Sequence, residues 1–308
     1  MNTSAQPAVQ PKLPANIPEY LEHLRRSLAG ADPALIQDAL YDAEEYLRSE
    51  MAEHPSLSEA EVIAQVASSY GAPEEVADIY RDTEVKVQTA LRPPVTKPRR
   101  SLPGRFFGVI AEPRTYAALF YMLLSMATGI FYFTWVTTGI SLSAGLAILI
   151  IGVPFAILYF GSVRMLSLVE GRIVETMLGE RMPRRPLYAE RGKPWPKRIG
   201  EMFTDPRTWT TQLYFLLLMP LGIVYFTIAV TLLSLSISLI AAPVALALGA
   251  SGVLRLEGVT IVPETPLMWP VCFVAGVLLL FATLHIARGI GHLHGQFAKH
   301  LLVKSAAG

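Results

Sequence analysis

Charge is what this chain has least of. Asp, Glu, Lys and Arg make up 17% of its 308 residues, against roughly 25% in an ordinary soluble domain, too few to cover the surface of a soluble protein of this size. Cysteine is almost missing. Cys272 stands alone in an apolar run, which excludes a disulfide-stapled secreted scaffold. No cleavable leader is expected either, because residues 1–18 hold four prolines and no apolar stretch. There is no Gly-rich phosphate loop and no Ser–His–acid set in a strand–turn setting. His285 and His292 share a helix face but are not spaced as a zinc pair, and with His294 and His300 they read as polar residues of an amphipathic helix beside the membrane. No catalytic residue, metal site or cofactor is therefore expected, and the chain is not expected to be an enzyme.

Uninterrupted apolar sequence is abundant. Residues 115–163, 208–254 and 265–287 contain no Asp, Glu, Lys or Arg, and a membrane span needs about 20 apolar residues. Four spans are expected, at Ala117–Thr137, Leu142–Met165, Thr210–Leu232 and Leu267–Ala287, with a tight turn over Thr138–Ser141. Residues 240–270, broken by Pro243, Gly249, Gly252, Gly258, Pro263, Pro266 and Pro270, read as an inserted hairpin. A five-span alternative, with 234–250 crossing, ranks second. Residues 164–209 carry ten Arg/Lys, and Arg92, Lys97, Arg99, Arg100 and Arg105 precede the first span. This bias places the linker, the 164–209 loop and both termini on the cytoplasmic side.

The spans repeat. At a shift of 93, Pro113-Arg114-Thr115 falls on Pro206-Arg207-Thr208, and Tyr121 falls on Tyr214. Gly129-Ile130-x-Tyr132-Phe133-Thr134 falls on Gly222-Ile223-x-Tyr225-Phe226-Thr227, and Ser141-Leu142-Ser143 on Ser234-Leu235-Ser236. At a shift of 124, Arg164, Gly171 and Leu178 match Arg288, Gly295 and Leu302. Glu112 and Asp205 are placed as helix N-caps ahead of proline. Arg114, Arg207, Tyr132 and Tyr225 are the candidate lipid or ligand contacts, paired about a pseudo-two-fold axis. The tyrosines need hydroxyl partners such as Thr134 and Thr227 and would line a cavity between the repeats, whereas the plainer reading makes the arginines positive-side anchors and the tyrosines packing residues beside Gly129 and Gly222. Glu170 and Glu175 read as a solvated helix face.

The first 90 residues differ in kind, with 6 Lys+Arg against 16 Asp+Glu. Helical spacing of Ile17, Tyr20, Leu21, Leu24 and Leu28, then Leu35 to Met51, Val62 to Tyr70 and Val76 to Tyr80, predicts four short helices and no strand. Ser58 with Glu61 predicts a capping box. The fold class expected is all-α. Its parts are a tail over 1–16, an acidic helical domain over 17–90, and a basic Pro-rich linker over 91–104. Membrane repeats follow over 105–180 and 198–303, separated by a basic loop over 181–197. Asp38, Asp42 and Glu45 form one acidic stripe on the second helix and are the candidate partner face.

Two family resemblances rest on these residues. Tyr20-Leu21, Asp42-Ala43-Glu44-Glu45-Tyr46, the Ser58 capping box and Gly71-Ala72-Pro73-Glu74-Glu75-Val76-Ala77 resemble the bacterial HAAS signalling domain, a helical module often encoded beside PadR-type regulators. The Gly129-Ile130-x-Tyr132-Phe133 block, Gly152-x-Pro154 and the amphipathic tails after Arg164 and Arg288 resemble the bacterial "Putative sensor" membrane domain found ahead of some histidine kinases. No phosphoacceptor helix or ATP-binding domain follows here, so kinase output is not expected. The resemblance implies a multi-pass sensor or signalling adaptor of the bacterial inner membrane. Its expected partners are the lipid bilayer and a cytoplasmic signalling or regulator protein. A homodimer stays open, and no direct nucleic-acid contact is expected. The alternative is a small transporter or permease built from two parallel repeats.

Overall fold

A computed structural model describes residues 14–91, 102–149, 151–186, 197, 200, 203–248, 255–256, 259–260 and 266–303. Most of the expected tail, of the Pro-rich linker, of the basic loop and of the hairpin tip lies outside the described residues. The chain divides into two units. One comprises the residues up to Thr89 together with the segment that starts at Pro183, and the other comprises Ala90–Met182 and Ile199–Val303.

The first unit is built from α1 (Ile17–Ser27), α2 (Pro33–Glu53), α3 (Glu59–Ser69) and α4 (Pro73–Leu91). Each start has a local cause. The Asn16 side chain accepts from Glu19 N, and that of Asp32 accepts from Ala34 N. Prolines occupy the first turns of α1, α2 and α4, where a missing N–H costs nothing. Gly30 and Gly71 take positive φ between helices. Tyr20, Leu24, Leu28, Ala39, Ala43, Leu47, Val62, Ile63 and Val66 form the core, and Tyr20 donates to the Gly71 carbonyl at 2.8 Å. Tyr46 stacks on Tyr70 at 4.5 Å. Ile79, expected inside, is exposed.

The Ser58–Glu61 capping box is present. The Ser58 hydroxyl and backbone N–H donate to Glu61 at 2.6 and 2.8 Å, which holds the Glu61 carboxyl below its ordinary range. A depressed carboxyl stabilises the fold above its unfolded pKa, and that contribution is lost as pH falls through the folded one. Ser58→Ala is therefore expected to destabilise the start of α3 at neutral pH. The difference from wild type should shrink below about pH 4. Hydrogen exchange of the α3 amides against pH reads this directly, and a pH-independent difference would show that Glu61 is not part of the cap.

The second unit starts with α5 (Leu102–Phe107) and a 3-10 turn, Gly108–Ala111. Four long helices follow: α6 (Pro113–Leu146), α7 (Gly152–Leu178), α8 (Pro206–Ala247) and α9 (Trp269–Leu302). All four are long and apolar enough to cross a membrane, and among the described residues no fifth helix is. The stretch 234–247, a separate crossing in the five-span alternative, continues α8. Apart from one antiparallel ladder, Arg255–Leu256 with Val259–Thr260, the described residues form helices and their connections.

The tight turn expected at Thr138–Ser141 is not there. Helix α6 runs through it to Leu146, and α7 starts at Gly152. Gly139 serves packing instead, since a Cβ there would lie 2.1 Å from the Tyr159 ring. Glu112 is also no side-chain cap. Its carboxylate pairs with Arg288 at 2.8 Å, whereas Asp205 does cap, accepting from Arg207 N at 3.0 Å.

Candidate functional site

The repeat is expressed as reciprocal contacts. A Cβ on Gly129 would lie 2.7 Å from the Leu218 carbonyl oxygen, and one on Gly222 would lie 2.4 Å from that of Ser125. Shifted by 93, each of these pairs becomes the other. The Tyr116 hydroxyl donates to the Ile110 carbonyl at 2.8 Å, and the Trp209 indole to that of Phe203 at 2.8 Å. Glu112 of the first repeat pairs with Arg288 of the second, and Asp205 of the second approaches Arg164 of the first at 3.9 Å. Contacts of i with j and of j with i are the mark of a two-fold interface, here formed within one chain.

On that axis lies a buried polar centre. Tyr121 and Tyr214 donate to the same oxygen of Glu170 at 2.9 and 3.0 Å. The same two hydroxyls lie 2.7 and 3.0 Å from His294 Nε2, and the Tyr225 hydroxyl lies 3.3 Å from His294 Nδ1. Tyr132 faces the Glu170 carboxyl from α6 and stacks on Phe215 at 4.4 Å. Glu170, Tyr121, Tyr214 and His294 are at most 1% exposed. The tyrosine protons go to Glu170, so their oxygens can accept from an Nε2–H imidazole while Tyr225 donates to Nδ1. Among the described residues, the second oxygen of Glu170 is buried and accepts no hydrogen bond within normal geometry, with Tyr132 as a polar neighbour.

Helix register explains the convergence. Tyr121 and Tyr214 stand eight residues after Pro113 and Pro206, and Glu170 and His294 eight before Leu178 and Leu302. At 1.5 Å per residue, all four lie about 12 Å from the helix ends that carry the basic residues. Glu170 and His294 are also counterparts at the 124-residue shift. One position of the repeat is therefore occupied once by an acid and once by an imidazole.

Three expectations change here. Glu170 and Glu175 are 0% and 2% exposed, not a solvated face. His294 is buried, while His285 stacks on Phe106 and contacts its carbonyl at 3.0 Å. Thr134 and Thr227 are exposed and do not serve the tyrosines, because residues two apart on a helix point to opposite sides. Of the candidate lipid or ligand residues, Tyr132 and Tyr225 join the centre. Arg114 and Arg207 do not. A Cβ on Gly179 would lie 2.6 Å from the Arg114 guanidinium, whereas Arg207 has Asp205 and Arg164 as charged neighbours. No group of His, Cys, Asp or Glu among the described residues is placed to hold a metal ion.

The end of α7 carries ion pairs of its own. Glu175 pairs with Arg172 at 2.7 Å and with the buried Arg181 at 3.4 Å. In the first unit, the acidic stripe of α2 holds the next residues of the chain. Asp38 accepts from the Arg184 and Arg185 backbone N–H groups at 2.7 and 2.8 Å, and Gln37 donates to the Arg185 carbonyl at 2.6 Å. Asp42 pairs with the Arg185 guanidinium at 2.7 Å, which also lies 5.8 Å over the Tyr41 ring. Glu45 is exposed.

Comparison with known families places both units. The family described as "Putative sensor" matches residues 121–302, a range that runs from Tyr121 through His294. The chain belongs to this sensor family. The HAAS family matches residues 19–79. No curated protein and no solved structure matches the chain. The sensor domain and the HAAS domain are both signalling modules, so a multi-pass sensor domain and a helical signalling domain share one polypeptide.

Proposed function

We propose that the protein is a membrane signalling adaptor of the bacterial inner membrane. A stimulus in the sensor domain shifts the Tyr–Glu–His centre, and the HAAS domain passes that change to a cytoplasmic signalling or regulator protein. The excess of Arg and Lys over 164–209 supports a cytoplasmic position for the HAAS domain. Arg114 and Arg207, at the starts of α6 and α8, suit anionic headgroups at the same face.

One observation carries this reading. Helix α7 holds Glu170 in the centre and Glu175 five residues on, Glu175 holds Arg181, and three residues later Asp38 of α2 holds the Arg184 amide. A rotation of α7 is thus handed along covalent chain, with Arg114 packed against Gly179 at its start. A buried carboxylate in a membrane helix is costly and is retained where a function needs it.

The test is hydrogen exchange of the full chain in lipid nanodiscs, comparing wild type with Glu170→Gln and His294→Gln. The expected result is altered protection at Arg184, Arg185 and the α2 amides, with α1 and α3 unchanged. Protection that changes only within α6–α9 would refute the relay.

A further inference from the structure

The contacts around Arg184 and Arg185 amount to a peptide-recognition site. Asp38 is 5% exposed and spends one carboxylate oxygen on two consecutive backbone N–H groups, an arrangement that reads chain conformation, not side chains. Gln37 takes the following carbonyl. Tyr41 and Asp42 then read one side chain, with Asp42 offering a carboxylate to a guanidinium and Tyr41 an aromatic face. The occupant is Pro183-Arg184-Arg185-Pro186, where the second proline biases Arg185 to extended backbone. The resident segment uses only part of the stripe. Glu45 lies seven residues from Asp38 on the same face, is exposed, and makes no ion pair or hydrogen bond among the described residues. Arg185 itself is half exposed.

We infer that this face of α2 is the docking site for an extended, arginine-bearing segment of a partner protein, and that residues 183–186 are a resident competitor. The partner segment has two consecutive free N–H groups, an arginine on the second, and a further basic residue one helical turn along to meet Glu45. The inference rests on the proposed relay only for its purpose. Displacement of 183–186 by a perturbed α7 would expose the site, while the site's chemistry stands on its own contacts.

The probe is a labelled peptide, Met-Pro-Arg-Arg-Pro-Leu-Arg-Lys, titrated by fluorescence anisotropy onto the full chain in nanodiscs of neutral lipid. Neutral lipid removes binding of the peptide to the bilayer. Arg185→Glu should weaken the resident segment and raise the apparent affinity of the peptide on the order of tenfold, because an intramolecular competitor acts at high effective concentration. Asp38→Asn and Asp42→Asn should abolish binding. Glu45→Lys, which leaves the resident contacts intact, should weaken binding several-fold and make it less salt-sensitive. Equal binding by wild type and Arg185→Glu would overturn the competitor role. Binding that survives Asp38→Asn and Asp42→Asn, or no binding by Arg185→Glu at all, would overturn the site. The relay is judged separately. Peptide affinity that is the same in wild type and Glu170→Gln, with the other results as expected, would refute the relay and leave the docking site standing.

Discussion

Gly129→Ala and Gly222→Ala are each expected to destabilise the sensor domain by about 3 kcal/mol, the upper end of what overpacking costs. The sign is the informative part. Replacing glycine by alanine inside a helix ordinarily stabilises it by about 1 kcal/mol. Here the added Cβ would lie 2.7 and 2.4 Å from backbone oxygens of the facing helix. Backbone cannot step aside as a side chain can, so α6 and α8 must separate and every contact on the axis loosens with them. Gly161 and Gly289 supply the controls, since a Cβ at either meets nothing within 4 Å, and alanine there should be neutral or stabilising. Thermal unfolding in mild detergent measures all four. A crossing glycine that tolerates alanine as well as the controls do would mean that α6 and α8 do not approach so closely.

The second large effect is expected at the polar centre. Glu170→Leu leaves two buried tyrosine hydroxyls without their acceptor, and His294→Leu leaves Tyr225 without its own. An orphaned buried polar group costs about 1–3 kcal/mol, so each variant should be strongly destabilised. The double variant should cost less than the two single costs added together, with a coupling of roughly 1 kcal/mol or more, because both residues hold the same two hydroxyls. Tyr121→Phe and Tyr214→Phe should cost the same within about 0.5 kcal/mol, as near-equivalent contacts on one axis imply. Additive costs for Glu170→Leu and His294→Leu, or a wide gap between the two tyrosines, would show that the four residues do not act as one unit.

Much of this was readable in the chain. The helical domain announces itself through caps and spacing, at Asn16, Asp32 and Ser58 and in the Leu and Val positions of α1 to α3, because capping and helical periodicity act within a few residues. The repeat showed as shared Pro-Arg-Thr and Gly-Ile-x-Tyr-Phe-Thr blocks. The centre was harder to see. Its members stand at 121, 132, 170, 214, 225 and 294, and the pair that completes it is Glu opposite His, so a search for identities passes over it. The 124-residue shift contained the signal, since it sets Glu170 on His294 in the register of Arg164 with Arg288. The turn was misplaced for a related reason. Glycine at 139 makes room for a ring from another helix, and glycine that bends a chain looks the same in one dimension.

The sequence by itself determined that this protein crosses a membrane, that its membrane spans and its acidic domain are helical, and that one half of its membrane domain repeats the other. Those properties follow from local composition, charge-free length and internal likeness. Only the tertiary structure decided what lies on the axis between the halves and what the acidic stripe of α2 holds. Burial of Glu170 and His294, and the grip of Asp38 on the Arg184 and Arg185 amides, depend on which surfaces of distant segments meet. A carboxylate reads as solvated in sequence until a second segment removes it from water.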